Sequence, residues 1–206
     1  MLEDWKHTLY LWRQNKLAMI GTVIIVFFIA IAVFAPLIAP YDPVKVDLSQ
    51  ALLSPSFEHI FGTDQFGRDI FSRVIYGARI EVGIILLVTV ISGAIGIAVG
   101  ITAGYFGGVI DEILMRITDI FLAFPNLILA MALSAMLGRG VFNAIIAISL
   151  VGWTVIARLS RAEAMKIKSL PYIEAIRALG AGNLRILLLH ILPMCMSPVL
   201  VQLSLR

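Results

Sequence analysis

Residues Tyr172 to Pro193 read YIEAIRALGAGNLRILLLHILP, and the order of a short helix, a glycine break and a long apolar run sets how this chain is built. Ser169 stands where it can cap a helix start, and Pro171 falls in the first turn, where a missing N–H costs little. Glu174, Ala175, Ala178 and Leu179 recur at helical spacing, so a small, mostly apolar strip shares one side with a carboxylate. Gly180 and Gly182 then stop the helix, and Asn183 is placed to cap the next one. A break of this kind at the base of a membrane-entering helix makes a short foot with its own orientation, shaped to sit in a cleft on another protein.

The surrounding composition sets the class. Sixty per cent of residues are hydrophobic and 14% charged, with a mean hydropathy of +0.98, whereas a soluble domain carries roughly 25% charged residues. The single cysteine, Cys195, lies in an apolar run, and His7, His59 and His190 are scattered. That distribution offers neither a disulfide framework nor a preformed metal site. An all-α, polytopic transmembrane helical bundle is expected.

In chain order, residues 1–16 are polar and aromatic, with Lys6, Arg13 and Lys16, and with Trp5, Tyr10 and Trp12 suited to the headgroup level. Residues 17–39 form an apolar stretch too long for a signal core and long enough to cross a bilayer, so a retained first transmembrane helix is expected. Residues 40–79 are the longest polar connection. Within it, Asp69 and Arg73 stand four apart, the spacing of a helical ion pair. The core, residues 80–206, opens with a span from about Val82 to Phe106, in which Ser92, Gly96, Gly100, Gly104 and Gly108 recur every fourth residue. Such a seam lets helix backbones approach closely. A short connection follows, with Asp111 and Asp119 near Arg116 as a local charge cluster, and then a span from Ile120 to Leu137 kinked at Pro125. Gly138-Arg139-Gly140 makes a tight turn into a fourth span, Val141 to Ala157. The segment 158–185 collects Arg158, Arg161, Lys166, Lys168, Arg177 and Arg185, and a fifth apolar run extends from Ile186 to Leu205. With these spans, ten lysines and arginines fall on the side of the N-terminus and five on the other. Basic residues in short loops mark the cytoplasmic side, so the N-terminus and the foot are expected there and residues 40–79 outside.

Three stretches resemble one family, among them Gly107-Gly108, Asp111, Met115-Arg116, Asp119 and Pro125 in the spacing GGxxDxxxMRxxDxxxxxP. Glu174-Ala175, Gly180 and Leu192-Pro193 fall at the intervals of the EAA loop of permeases from binding-protein-dependent ABC importers; Ile176 and His190 depart from that pattern. Gly62-Thr63-Asp64, Gly67-Arg68-Asp69, Ser72-Arg73 and Gly77-Ala78-Arg79 resemble the signature of its dipeptide/oligopeptide/nickel branch. The resemblance implies a type I importer permease fold in a bacterial or archaeal cytoplasmic membrane. It implies as partners a second homologous permease, two ATP-binding cassette subunits and an extracytoplasmic solute-binding protein, besides the lipid bilayer. Glu174, Ala175, Ala178, Leu179 and Gly180 would be the ATPase-coupling residues, within an EAA loop at 158–193. Asp64, Gly67, Arg68, Asp69 and Arg73 would be family signature without an assigned individual role, packing against either the partner permease or the binding protein. Family members continue past this point to a further span, so a C-terminally incomplete bundle is expected.

Enzymatic readings find no support. There is no G-x-x-x-x-G-K-[ST] loop, no H-E-x-x-H and no G-x-S-x-G. The chain is therefore expected to bind no cofactor or metal, with ATP and Mg on the partner ATPases, and the basic cluster is read as topological rather than as nucleic-acid binding. Di- or oligopeptides are the favoured substrates, with nickel or another small solute as the alternative. A passive channel and a membrane scaffold are the remaining classes.

Overall fold

A computed structural model describes residue 10 and residues 12–205. Trp5 and Lys6 of the amino-terminal segment lie outside the described residues. The described chain divides into two compact units, meeting in sequence at Ile84 and Ile85.

In the first unit, α1 (Lys16–Ile38) starts where the Asn15 side chain accepts the Ala18 N–H at 3.2 Å. Its 23 residues reach about 35 Å, enough to cross a hydrocarbon core of about 30 Å. Only Ala32 and Ala35 are buried in it, so nearly its whole circumference is left for lipid or another chain. The polar segment after it carries one short 3₁₀ turn, Leu48–Gln50, and leads into α2 (Ile70–Phe106). This helix begins in the first unit and ends in the second, and it starts twelve residues before the expected Val82.

The second unit departs from expectation around Pro125. The region after Gly107 is not a short connection. It is the helix α3 (Gly108–Leu122), followed by α4 (Asn126–Leu137) at an angle of 89°. Pro125 therefore breaks the chain instead of kinking one continuous helix from Ile120. Proline lacks the N–H that would continue the ladder, and its ring disfavours helical geometry at Phe124. Pro125 itself stands in extended conformation (ψ 124°) as the residue preceding α4. At the far end, the Asn143 side chain donates to the carbonyls of Leu137 and Gly138, closing the expected tight turn.

Helix α5 (Val141–Lys168) runs on past Ala157, so Arg158, Arg161, Lys166 and Lys168 are helical rather than in a loop. This extension changes the expected charge pairing. Asp111 takes both Nε and Nη2 of Arg161, at 2.5 and 2.6 Å, and Asp119 takes Arg158 at 2.6 Å, so neither acid pairs with Arg116. The sequence-local cluster is replaced by bridges between α3 and α5. The chain then turns through α6 (Pro171–Ala178), α7 (Asn183–Ile186), a π-helical turn at Leu187–Ile191 and α8 (Leu192–Ser204). The π turn falls immediately before Pro193, where the regular ladder loses a donor.

The small-residue seam is present, and its neighbour is α5. A Cβ on Gly96, Gly100 or Gly104 would lie 2.6, 2.3 and 2.5 Å from the carbonyl oxygens of Trp153, Ala157 and Arg161 respectively. Both helices advance four residues per contact in the same direction, so α2 and α5 run parallel along this seam. Gly108 is not part of it, having nothing within 4 Å of its Cβ position. We expect Gly100→Leu to drive α2 and α5 apart and abolish recovery of folded protein from detergent. Gly83→Ala, with nothing within 4 Å, should change the melting temperature by no more than about 2 °C. Size-exclusion profiles and thermal melts of the two purified variants check the pair.

Candidate functional site

The foot is α6 with its glycine break. Ile173 is fully buried, in a core shared with Ile101, Ile167, Ile186 and Ile191, and Ile176 packs on the edge of that core. The opposite side is open: Glu174, Ala175, Ala178, Leu179 and Gly180 are all exposed, and Leu179 is 88% exposed. All the residues expected to face a partner thus lie outside this chain's own packing.

The break has a defined geometry. Gly180 has φ +86°, donates its N–H to Arg177 O at 2.9 Å, and Ala181 donates to Ile176 O at 3.2 Å. This is the Schellman arrangement, in which a left-handed residue after the helix satisfies the last carbonyls. The expected capping is corrected at both ends. Ser169 donates its hydroxyl to Lys166 O and so closes α5, while Leu170 precedes α6. Asn183 is the first residue of α7, and its Oδ1 accepts from the Tyr105 hydroxyl at 2.7 Å instead of capping.

The first part of the signature, from Gly62 to Arg73, folds as a turn leading into α2. Asp64 is its hub. Its Oδ1 accepts the N–H groups of Phe66 and Arg68 at 2.8 and 3.0 Å; its Oδ2 accepts Arg68 Nε at 2.8 Å and also Arg73. Gly67 has φ +69°, and a Cβ there would fall 1.7 Å from Asp47 O. Asp69 does not pair with Arg73 as its spacing suggests. It caps α2 by accepting the Ser72 N–H at 2.7 Å, and it holds Nδ1 of the buried His59 at 2.9 Å. Ser72 in turn accepts the Tyr41 N–H at 3.1 Å. His59, with Tyr41 stacked at 4.8 Å, had no signal in the sequence, because its partner stands ten residues away across a turn. Among the described residues, no group of three or more histidines, cysteines or acids is arranged to hold a metal.

Burial pushes the Asp64 carboxyl up, but the Arg68 side chain and the N–H groups of Arg68 and Phe66 outweigh it and hold it at about 2. Burial likewise pushes Asp69 up, and Ser72 and His59 outweigh it, leaving its carboxyl below the ordinary value. A depressed carboxylate contributes stability above the unfolded value near 4 and loses it as pH falls through the folded value. The turn should therefore keep constant amide protection at Arg68 and Ser72 above pH 5 and lose it between about pH 4 and 2. In Asp64→Asn, protection at Arg68 should already be reduced at pH 7; equal acid dependence in the two proteins, followed by hydrogen exchange, would sink the assignment.

Residues 96–206 match the family model described as binding-protein-dependent transport system inner membrane component, and residues 4–55 match the N-terminal TM domain of oligopeptide transport permease C. The dipeptide transport system permease protein DppC of Alkalihalophilus pseudofirmus is 41% identical over 204 residues, covering 99% of this chain and 67% of the relative. The oligopeptide transport system permease protein OppC of Bacillus subtilis is 42% identical over the same share of each chain. The glutathione transport system permease protein GsiD of Escherichia coli is 39% identical over 205 residues, 99% of this chain and 66% of the relative. The chain thus spans about two thirds of the length of these relatives and belongs to the family of inner membrane components of binding-protein-dependent transport systems.

Proposed function

We propose that this chain is the permease subunit of an ATP-driven importer of di- or oligopeptides, and that its foot couples the membrane helices to an ATP-binding subunit. The observation that carries the reading is the division of α6 into two sides. Ile173 anchors it to the core, while Glu174, Ala175, Ala178 and Leu179 remain exposed on a rigidly closed helix end. An exposed leucine beside two alanines and a carboxylate fits a close-packed protein contact better than a solvated surface. ATP and its Mg would be held by two partner ATPase subunits, since no phosphate-binding loop occurs in the sequence. Differential contact of the foot with two states of those subunits is what would bias the helices between inward-open and outward-open forms. A second permease would cover the exposed sides of the apolar helices and complete the pathway.

The basic residues flanking the foot support an orientation with the foot and the N-terminus on the cytoplasmic side and the signature turn outside, where a solute-binding protein would dock. The relatives are named for dipeptide, oligopeptide and glutathione transport. All of these are peptides, which weighs for peptides over nickel.

The experiment is a gentle-detergent purification of the tagged, full-length chain from its native membranes, with bound proteins identified by mass spectrometry. Recovery of ATP-binding subunits and a second permease is expected; their absence, under conditions that preserve a known importer, would favour a channel or a scaffold. Glu174→Lys and Gly180→Val should insert normally and lower binding-protein-stimulated uptake of a labelled dipeptide at least about tenfold, the second because a β-branched residue at positive φ is strained by about 1–2 kcal/mol. Uptake at the unmodified level in either variant would remove the coupling role.

A further inference from the structure

We propose that Tyr105 is a positioning residue for coupling: its hydroxyl pins both sides of the Gly180 break to the end of α2, so that movement of the foot is passed to the membrane helices. The proposal rests on the coupling role proposed for the foot. Tyr105 is the penultimate residue of α2 and only 3% exposed. Its hydroxyl donates to Asn183 Oδ1 at 2.7 Å and accepts from Arg177 Nη2 at 3.4 Å. Arg177 lies in the last turn of α6 and Asn183 opens α7, so one oxygen touches the chain on either side of the hinge. The ring is engaged as well. The Arg177 guanidinium lies 5.6 Å from its centroid and Lys168 Nζ, at the end of α5, 5.9 Å.

The mechanical consequence follows from where α2 is held. Gly104 stands one residue before Tyr105, at the last contact of the seam with α5. The other contacts of the foot, Ile173 and Ile176 in the core, Tyr172 on Met194 of α8 and the chain at its two ends, include no polar bond to the end of α2. The hydroxyl restrains tilting of the foot against α2, because any tilt must give up its part-buried hydrogen bonds to Asn183 and Arg177 and leave the hydroxyl of a 3% exposed tyrosine without them. The spacing conceals this contact, since the partners stand 72 and 78 residues away in sequence.

Tyr105→Phe is the test, as it keeps the ring and its cations and removes both hydrogen bonds. In the assembled transporter in lipid nanodiscs or proteoliposomes, with the full-length chain, the ATPase subunits should co-purify as before. The amount of labelled dipeptide moved per ATP should fall on the order of fivefold, the factor one net hydrogen bond supplies. A ratio within twofold of the unmodified transporter, with the ATPase still bound, overturns the proposal. A second arm needs no ATPase. Nitroxide labels at Val90 and Leu179, 63% and 88% exposed, report the foot against α2 in the permease alone. Tyr105→Phe should broaden their distance distribution, and Asn183→Ala, which keeps the Arg177 contact, should broaden it less and add nothing when combined with Tyr105→Phe. An unchanged distribution overturns the pin. Failure of the unmodified chain to bind any ATPase would instead count against the coupling role of the foot, leaving the label measurement to decide whether the hydroxyl fixes it.

Discussion

The close approach of α2 to α5 is the constraint on which the second unit depends. In a bilayer there is no hydrophobic gain in bringing two apolar helices together, so association rests on packing and on polar contacts. Gly96, Gly100 and Gly104 meet the carbonyl edge of α5 at Trp153, Ala157 and Arg161, and at each of them even one Cβ would collide with backbone. The four-residue repeat on both helices keeps the contact continuous through three successive glycines, about two turns. With that seam fixed, the carboxy-terminal end of α5 and the end of α2 stand side by side, and the core around Ile101, Ile167 and Ile173 forms beneath them.

The foot inherits its position from that core. Its buried side is short, one fully buried isoleucine and a second at the edge, and its exposed side carries the small and acidic residues. Such a helix would be marginal alone, since eight residues cannot offset the cost of nucleation. The Schellman closure at Gly180 and the hydroxyl of Tyr105 supply what length does not. The two charge bridges from α3 to α5 act in the same region. The Asp119–Arg158 pair is more than half exposed on both sides and is worth under about 1 kcal/mol, whereas Asp111–Arg161 is bidentate and better shielded.

In the first unit the polar signature follows a different rule. Gly62 and Gly67 are set by positive φ and by close backbone approach, and Asp64 and Asp69 by the need to satisfy backbone donors at a turn and at a helix start. A motif that looks like a row of interacting charges is largely a device for folding a turn. Arg68 and Arg73 both converge on Asp64, leaving Asp69 to His59 and the cap.

By itself the sequence determined the class, the apolar spans, the glycine seam, the glycine break and the exposed strip of the foot. These are carried by composition and by periods of three to four residues, which a helix converts directly into faces. It misjudged ion pairing because charge spacing along one helix ignores the neighbour: Asp111 and Asp119 chose arginines on α5 over Arg116. It read Pro125 as a kink where the chain turns through 89°, because periodicity does not say whether neighbouring helices will hold a proline in line. Only the tertiary structure decided that the seam faces α5, that His59 belongs to Asp69, and that Tyr105 meets Arg177 and Asn183. The seam and the Tyr105 contacts join residues remote in sequence and are fixed by the direction in which packed helices run, whereas His59 and Asp69 meet across a turn ten residues apart; none follows from a local preference of the residues themselves.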